Sequence, residues 1–150
     1  MTHIRWFVIL VLVLCLPACT ANLDRAIVEA NAFLYERYSE RPLKDVTVLD
    51  TWDDFPDKRI RRTTMWLTAD ACVYNGDVFI LKRACQHQKL MTGMLVHEGV
   101  HLIQLGRFAR SYGHEFVADM VRLKLRQMEE EACDVQRDYL GLGRPKEAFR

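Results

Sequence analysis

Leu90-Met91-Thr92-Gly93-Met94-Leu95-Val96-His97-Glu98-Gly99-Val100-His101-Leu102-Ile103-Gln104-Leu105 is the stretch that decides how this chain folds. It is apolar nearly all round, the pattern of a helix buried in a domain core. Three titratable side chains interrupt it: His97, Glu98 and His101. Unpartnered, they would be costly to bury. A helix sets positions i and i+4 on one face, so both imidazoles can point at a single tetrahedral Zn²⁺. Glu98 lies one step round, close enough to touch a water on that metal without ligating the metal. Gly99 leaves room for an approaching strand or substrate, at a helix-propensity cost of about 1 kcal/mol against alanine. Gly106 is the expected stop.

The chain has 150 residues, and its start reads as a processing signal rather than as fold. His3 and Arg5 give a cationic opening, and the apolar run from Trp6 to Leu16 is too short to span a membrane comfortably. The run ends in Leu16-Pro17-Ala18-Cys19, which resembles a bacterial lipobox. On that reading residues 1–18 are a lipoprotein-type signal peptide and Cys19 is lipidated after cleavage just before it. Residues 19–22 are then a linker, 23–140 the folded domain and 141–150 a tail. Pro17 is unusual at its position, so ordinary cleavage near Ala21 and an uncleaved anchor are the competing readings. Thr20 is not the Asp that holds lipoproteins in the inner membrane. The expected address is therefore the outer membrane, facing the periplasm, with the N-terminal lipid as the membrane contact.

A mature chain of about 132 residues suffices for one modest core. Without Arg5 its basic and acidic residues balance, which leaves no electrostatic footprint for nucleic acid. Arg59, Arg61 and Arg62 cluster without interleaved aromatics and read as a solvated turn or strand edge. Export also changes how the cysteines read, because disulfides persist in an oxidising compartment. Cys15 leaves with the signal and Cys19 takes the lipid, so Cys72, Cys85 and Cys133 remain. One bridge and one leftover thiol are expected, with Cys72 and Cys85 paired because they bracket a hairpin-like segment. A structural Cys₂His₂ zinc site lacks the C-x-x-C spacing that would support it.

From Leu23 to Ser39 apolar residues recur at three and four, which predicts an amphipathic helix ended by Arg41-Pro42. Val46-Thr47-Val48-Leu49 reads as a strand, Asp53 to Asp57 as a loop, and Thr63 to Leu67 as β-rich. Asn75-Gly76 between Cys72-Val73-Tyr74 and Asp77-Val78-Phe79-Ile80-Leu81 is the strongest hairpin signal in the chain. A polar connection from Arg107 to Gly113 should follow the helix around His97. A long helix is then expected from about His114 to Leu140.

His97 to His101 is an HExxH motif, and the order helix, sheet, motif helix, long helix resembles a small zincin over roughly Met65 to Leu140. The expected fold is α+β, a short twisted sheet with a β-hairpin packed on the HExxH helix and a long C-terminal helix. The resemblance implies a zinc metallopeptidase acting on a peptide or protein substrate. Zn²⁺ would be the cofactor, His97 and His101 two of its ligands, and Glu98 the general base.

A third ligand is needed. The metzincin pattern fails, because Gln104 and Arg107 stand where its Gly and His would be. The gluzincin pattern takes a Glu from a downstream helix, often three residues before Ala or Ser. Glu129, Glu130 and Glu131 are the candidates. Val117, Val121, Leu125, Met128, Ala132, Val135 and Tyr139 form one apolar stripe, and at about 100° per residue Glu130 lies opposite it. Glu129 and Glu131 flank the stripe. Glu129 precedes Ala132 by three and is the expected ligand, with Glu131 in reserve. Many gluzincins place an Asp after the small residue to orient a ligand histidine; Cys133 stands there, so that role is unassigned.

His114 and Glu115 could supply a ligand or an oxyanion donor, although a surface pair in a helix first turn is the plainer reading. Tyr112 and Tyr139 are further candidate donors. A reading from another class is an envelope module that keeps the zincin shape and its zinc for binding or assembly, without much hydrolysis. Glu98 favours the enzyme, since a purely structural site has no use for a base beside the metal. A chain this short can depend on a protein partner for specificity.

Overall fold

Val78 and Ile80 point to one side of their strand and Phe79 and Leu81 to the other, and all four are buried. A strand apolar on both faces belongs in the middle of a sheet. The structure, a computed structural model describing residues 22–57 and 69–143, puts it there. Helix α1 covers 22–38 and is followed by β1, Val46–Leu49. The hairpin comprises β2, Ala71–Tyr74, and β3, Asp77–Leu81. Helix α2, Gln88–Tyr112, and helix α3, Val117–Leu140, complete the fold. The architecture is α+β: a three-stranded mixed sheet in the order β1-β3-β2, packed on helices and closed by a long C-terminal helix.

Parallel pairing joins β1 to β3 from Val46 opposite Val78 to Leu49 opposite Leu81. Antiparallel pairing joins β2 to β3 from Ala71 opposite Ile80 to Tyr74 opposite Asp77. Between the hairpin strands both turn residues take positive φ, 52° at Asn75 and 88° at Gly76. That is the backbone an Asn-Gly dipeptide tolerates, and its twist matches that of the flanking strands.

Side-chain alternation sorts the core into two clusters. Val78 and Ile80 join Ala26, Ala30 and Leu34 of α1 and Met91, Leu95, Val96, Val100 and Ile103 of α2. The opposite sheet face carries a smaller cluster of Leu49, Phe55, Cys72, Phe79 and Leu81, with Phe55 edge-on to Phe79 at 4.9 Å. A 3₁₀ turn at Trp52–Asp54, capped by Thr51, occupies part of the expected loop and holds Phe55 under the sheet.

This division corrects the expected disulfide. Cys72 lies in the small cluster and Cys85 in the main one, and they are not bonded to each other. The hairpin does form between them. Strand alternation, however, turns Cys72 away from the helices, while the 3₁₀ segment Lys82–Gln86 carries Cys85 into the helix-facing core.

Gly106 does not end α2. The helix runs on to Tyr112 and stops at Gly113, whose φ is 91°. The polar tract from Arg107 stays helical because the rest of the fold holds it. Arg107 lies over the Tyr38 ring at 5.0 Å, and Arg110 pairs with Glu40 at 3.1 Å. Gly99 does allow a close approach, but the neighbour is α1 rather than a strand or substrate. A Cβ there would run into Leu34, with Pro42 and Leu43 behind it.

The expected signal segment, Cys19, the Arg59–Arg62 cluster and the β-rich stretch 63–67 lie outside the described residues. Among the described residues no helix is long and apolar enough to cross a membrane.

Candidate metal centre

The middle of α2 is fixed by burial on nearly every side. Val96 and Val100 are fully enclosed, Gly99 faces α1 and Glu98 faces β2, which leaves the face carrying His97 and His101 for α3. His97 and His101, both partly buried, point there one turn apart. On α3, Met128, Ala132 and Val135 are buried, and fully enclosed Ala132 is small enough for the two helices to approach closely. That contact carries Glu129 to the histidines.

Three side chains converge. His97 Nε2 and His101 Nε2 are 3.1 Å apart. Glu129 sets one carboxylate oxygen 3.4 Å from His97 Nε2 and the other 3.3 Å from His101 Nε2. Among the described residues these three form the only group of His, Cys, Asp or Glu able to hold a metal ion. The donor set and spacing fit zinc. Tetrahedral bonds of about 2.0–2.1 Å imply ligand-to-ligand edges of about 3.3–3.4 Å. The two histidine–carboxylate distances match this, each through a different Glu129 oxygen, and the nitrogens lie slightly closer together.

Electrostatics follow from this crowding. Hydrogen bonds with His101 and His97 hold the Glu129 carboxyl well below the usual carboxylate range, more than offsetting its partial burial. Burial pushes the His101 imidazole down, but Glu129, Gln104 and Glu98 outweigh it and the net shift is upward. Glu98 is buried beside the pair. Burial raises its pKa, opposed by the charges of His97 and His101 and by a backbone hydrogen bond from Val73. That hydrogen bond ties Glu98 to β2, on the wall of the cleft facing the histidines.

The other glutamates separate as helix geometry requires. Glu130 is exposed and accepts a hydrogen bond from Arg126 at 2.8 Å. Glu131 turns to the other flank, where it accepts from Tyr38 at 3.0 Å and from Gln104 at 2.9 Å, away from the group of His97, His101 and Glu129. His114 and Glu115 are exposed in a 3₁₀ turn between the long helices and take no part. Tyr112 packs near Phe108, and Tyr139 sits edge-on to Phe33 at 5.4 Å. Neither reaches the centre.

A cleft of about 630 Å³ opens beside His97, His101 and Glu129. Residues 69–73 form one wall, and Met94, Leu105, Val121, Leu125 and Met128 make the rest largely apolar. Two residues near the centre went unassigned in the sequence. Gln136 lines the cleft, one turn beyond Ala132 on α3. Gln104 contacts His101 Nδ1 at 2.9 Å, and its position three residues after a ligand histidine was the available signal. In comparisons with known proteins the chain matches no family model, no curated protein and no solved structure.

Proposed function

We propose that the protein is an exported, lipid-anchored zinc metallopeptidase whose reaction is hydrolysis of a peptide bond. The observation that carries this reading is the convergence of His97 Nε2, His101 Nε2 and Glu129 at tetrahedral-edge distances with Glu98 buried alongside. Two imidazoles and one carboxylate are a donor set typical of catalytic rather than structural zinc, and leave a fourth position open. Zinc held there would supply Lewis acidity toward a carbonyl oxygen and acidify a coordinated water.

The chain's own residues do the rest. Glu98 removes the proton from the attacking water and returns it to the departing amine. Its anchoring to Val73 keeps the carboxylate on the β2 side of the cleft, so base and ligands face one space from two directions. The apolar walls from Met94, Leu105, Val121 and Leu125 favour a substrate presenting apolar side chains and exclude bulk water from the reacting bond. Cys19 lipidation would hold the domain at the outer membrane, facing the periplasm.

The test is metal content and peptide hydrolysis measured together on the purified mature domain. The parent should bind one zinc and cleave an internally quenched peptide library. Glu98→Gln should keep the zinc and lose hydrolysis by at least about 10²-fold, the usual reach of a positioned general base. Equal hydrolysis by parent and Glu98→Gln would rule the mechanism out. Zinc binding with no hydrolysis in the parent would favour a binding or assembly module instead.

A further inference from the structure

Gln104 is the one buried amide in the middle of the α2–α3 contact, 4% exposed. Its side-chain nitrogen faces two acceptors, the Met128 carbonyl at 3.2 Å and a Glu131 carboxylate oxygen at 2.9 Å. A carbonyl and a carboxylate can only accept, so the amide cannot be turned round without opposing lone pairs at both contacts. Its oxygen must therefore face His101 Nδ1, 2.9 Å away. An amide oxygen also only accepts. The hydrogen in that contact belongs to Nδ1, which leaves Nε2, the atom facing His97 and Glu129, as the nitrogen a metal would take.

We infer that Gln104, held by Glu131, is a positioning residue that fixes the ring orientation of His101 and keeps a proton on its Nδ1, so that Nε2 is the atom offered to the metal. The inference rests on the zinc reading above. It deepens that reading by assigning the orienting role for which Cys133, exposed on α3, is unsuited. Glu131 is itself fixed from the far side. Tyr38 of α1 donates to its other oxygen at 3.0 Å, and Arg107 lies 3.7 Å from that oxygen and over the Tyr38 ring. The chain Tyr38–Glu131–Gln104–His101 thus ties the ligand to all three long helices. His97 is held differently: its buried Nδ1 has no hydrogen-bond partner among the described residues. His101 is the pre-set ligand of the pair.

The test reads the proton on His101 Nδ1 directly, by ¹⁵N NMR of that imidazole in full-length, metal-free protein. The parent should show His101 protonated on Nδ1. Gln104→Leu should lower the occupancy of that proton and weaken zinc binding about 10-fold to 100-fold in chelator competition, the usual loss when a ligand's hydrogen-bond partner is removed. Glu131→Gln removes one of the two acceptor-only contacts that fix the amide and should move both readouts in the same direction by a smaller amount. A parent with no proton on His101 Nδ1 would overturn the inference. So would a Gln104→Leu protein with unchanged Nδ1 proton and zinc affinity. Should Gln104→Leu fail to fold, the parent spectrum and Glu131→Gln decide alone. A parent that shows the Nδ1 proton but binds no zinc would refute the metal reading while leaving the orientation of His101 standing.

Discussion

One apolar stripe runs the length of α3, yet its two halves meet different surroundings. In the C-terminal half Ala132 and Val135 are buried in the core shared with α2, while Met128, just before Glu129, is buried at the edge of the cleft. In the N-terminal half Val121 is only partly covered, and Leu125 is 43% exposed on the wall of the cleft. Glu129 stands at the junction, where the helix passes from packed to open. A periodic pattern therefore states which face of a helix is apolar, but not whether protein or a ligand will cover it. The position of the candidate metal centre follows from that transition: the packed half fixes Glu129, and the open half leaves space beside it.

The largest effect should come from the junction itself. Glu129→Ala removes one of three protein ligands. Zinc binding worth about 10–16 kcal/mol in a four-ligand site implies a loss of roughly 3–4 kcal/mol, or about 10²–10³-fold in affinity. His97→Ala and His101→Ala should match it in chelator competition. If Glu131→Ala weakened binding as much as or more than Glu129→Ala, the third ligand would lie two residues along.

Next in size is a change that breaks the packed half. Ala132 is fully enclosed at the close approach of α2 and α3. Ala132→Leu should destabilise the fold by about 1–3 kcal/mol in urea unfolding, the usual cost of overfilling a close-packed site. Because α3 would be pushed away from the histidines, zinc affinity should fall with it. Unchanged stability would mean that the two helices pack less tightly than their geometry implies.

These two regions were unequally legible in the sequence. The i, i+4 histidines, the Asn75-Gly76 turn, the strand Val46–Leu49 and the outward aim of Glu130 all depend on local periodicity or local turn chemistry, and the structure has each in place. What escaped depends on contacts between distant segments. Gly106 reads as a stop, but Arg107 and Arg110 are held in helix by Tyr38 and Glu40, which no window around residue 106 contains. Cys72 and Cys85 bracket a hairpin, but the sheet's two faces send them to separate clusters. Gln104 shows in the sequence only as a polar residue three after His101, and its orientation is fixed when Glu131 and Met128 arrive from α3.

A smaller effect should mark the open half. Leu125→Asn alters the cleft wall where the side chain is already substantially exposed, so stability should change by no more than about 0.5 kcal/mol. Catalytic efficiency toward peptides with large apolar side chains should drop about 10-fold, in line with lost contact in an apolar subsite, while small-residue peptides are spared. A loss of stability comparable to that of Ala132→Leu would show that the N-terminal half is core after all, and the contrast between the halves would disappear.

The smallest effect is expected at Leu123, and it sharpens the contrast most. This side chain is 76% exposed and does not line the cleft. Two residues from Val121, it lies about 200° round the helix, on the far side from both the stripe and the metal ligands. Leu123→Glu should therefore leave urea stability within about 0.5 kcal/mol, zinc affinity unchanged and hydrolysis at the parent rate. Replacing an exposed leucine with a good helix former removes no packing and adds no buried charge. The measurement has a second edge. If Leu123→Glu lowered stability at high protein concentration but not on dilution, the outer face of α3 around Leu123 would be covered by another copy of the chain in solution, and the contrast along the stripe would stand.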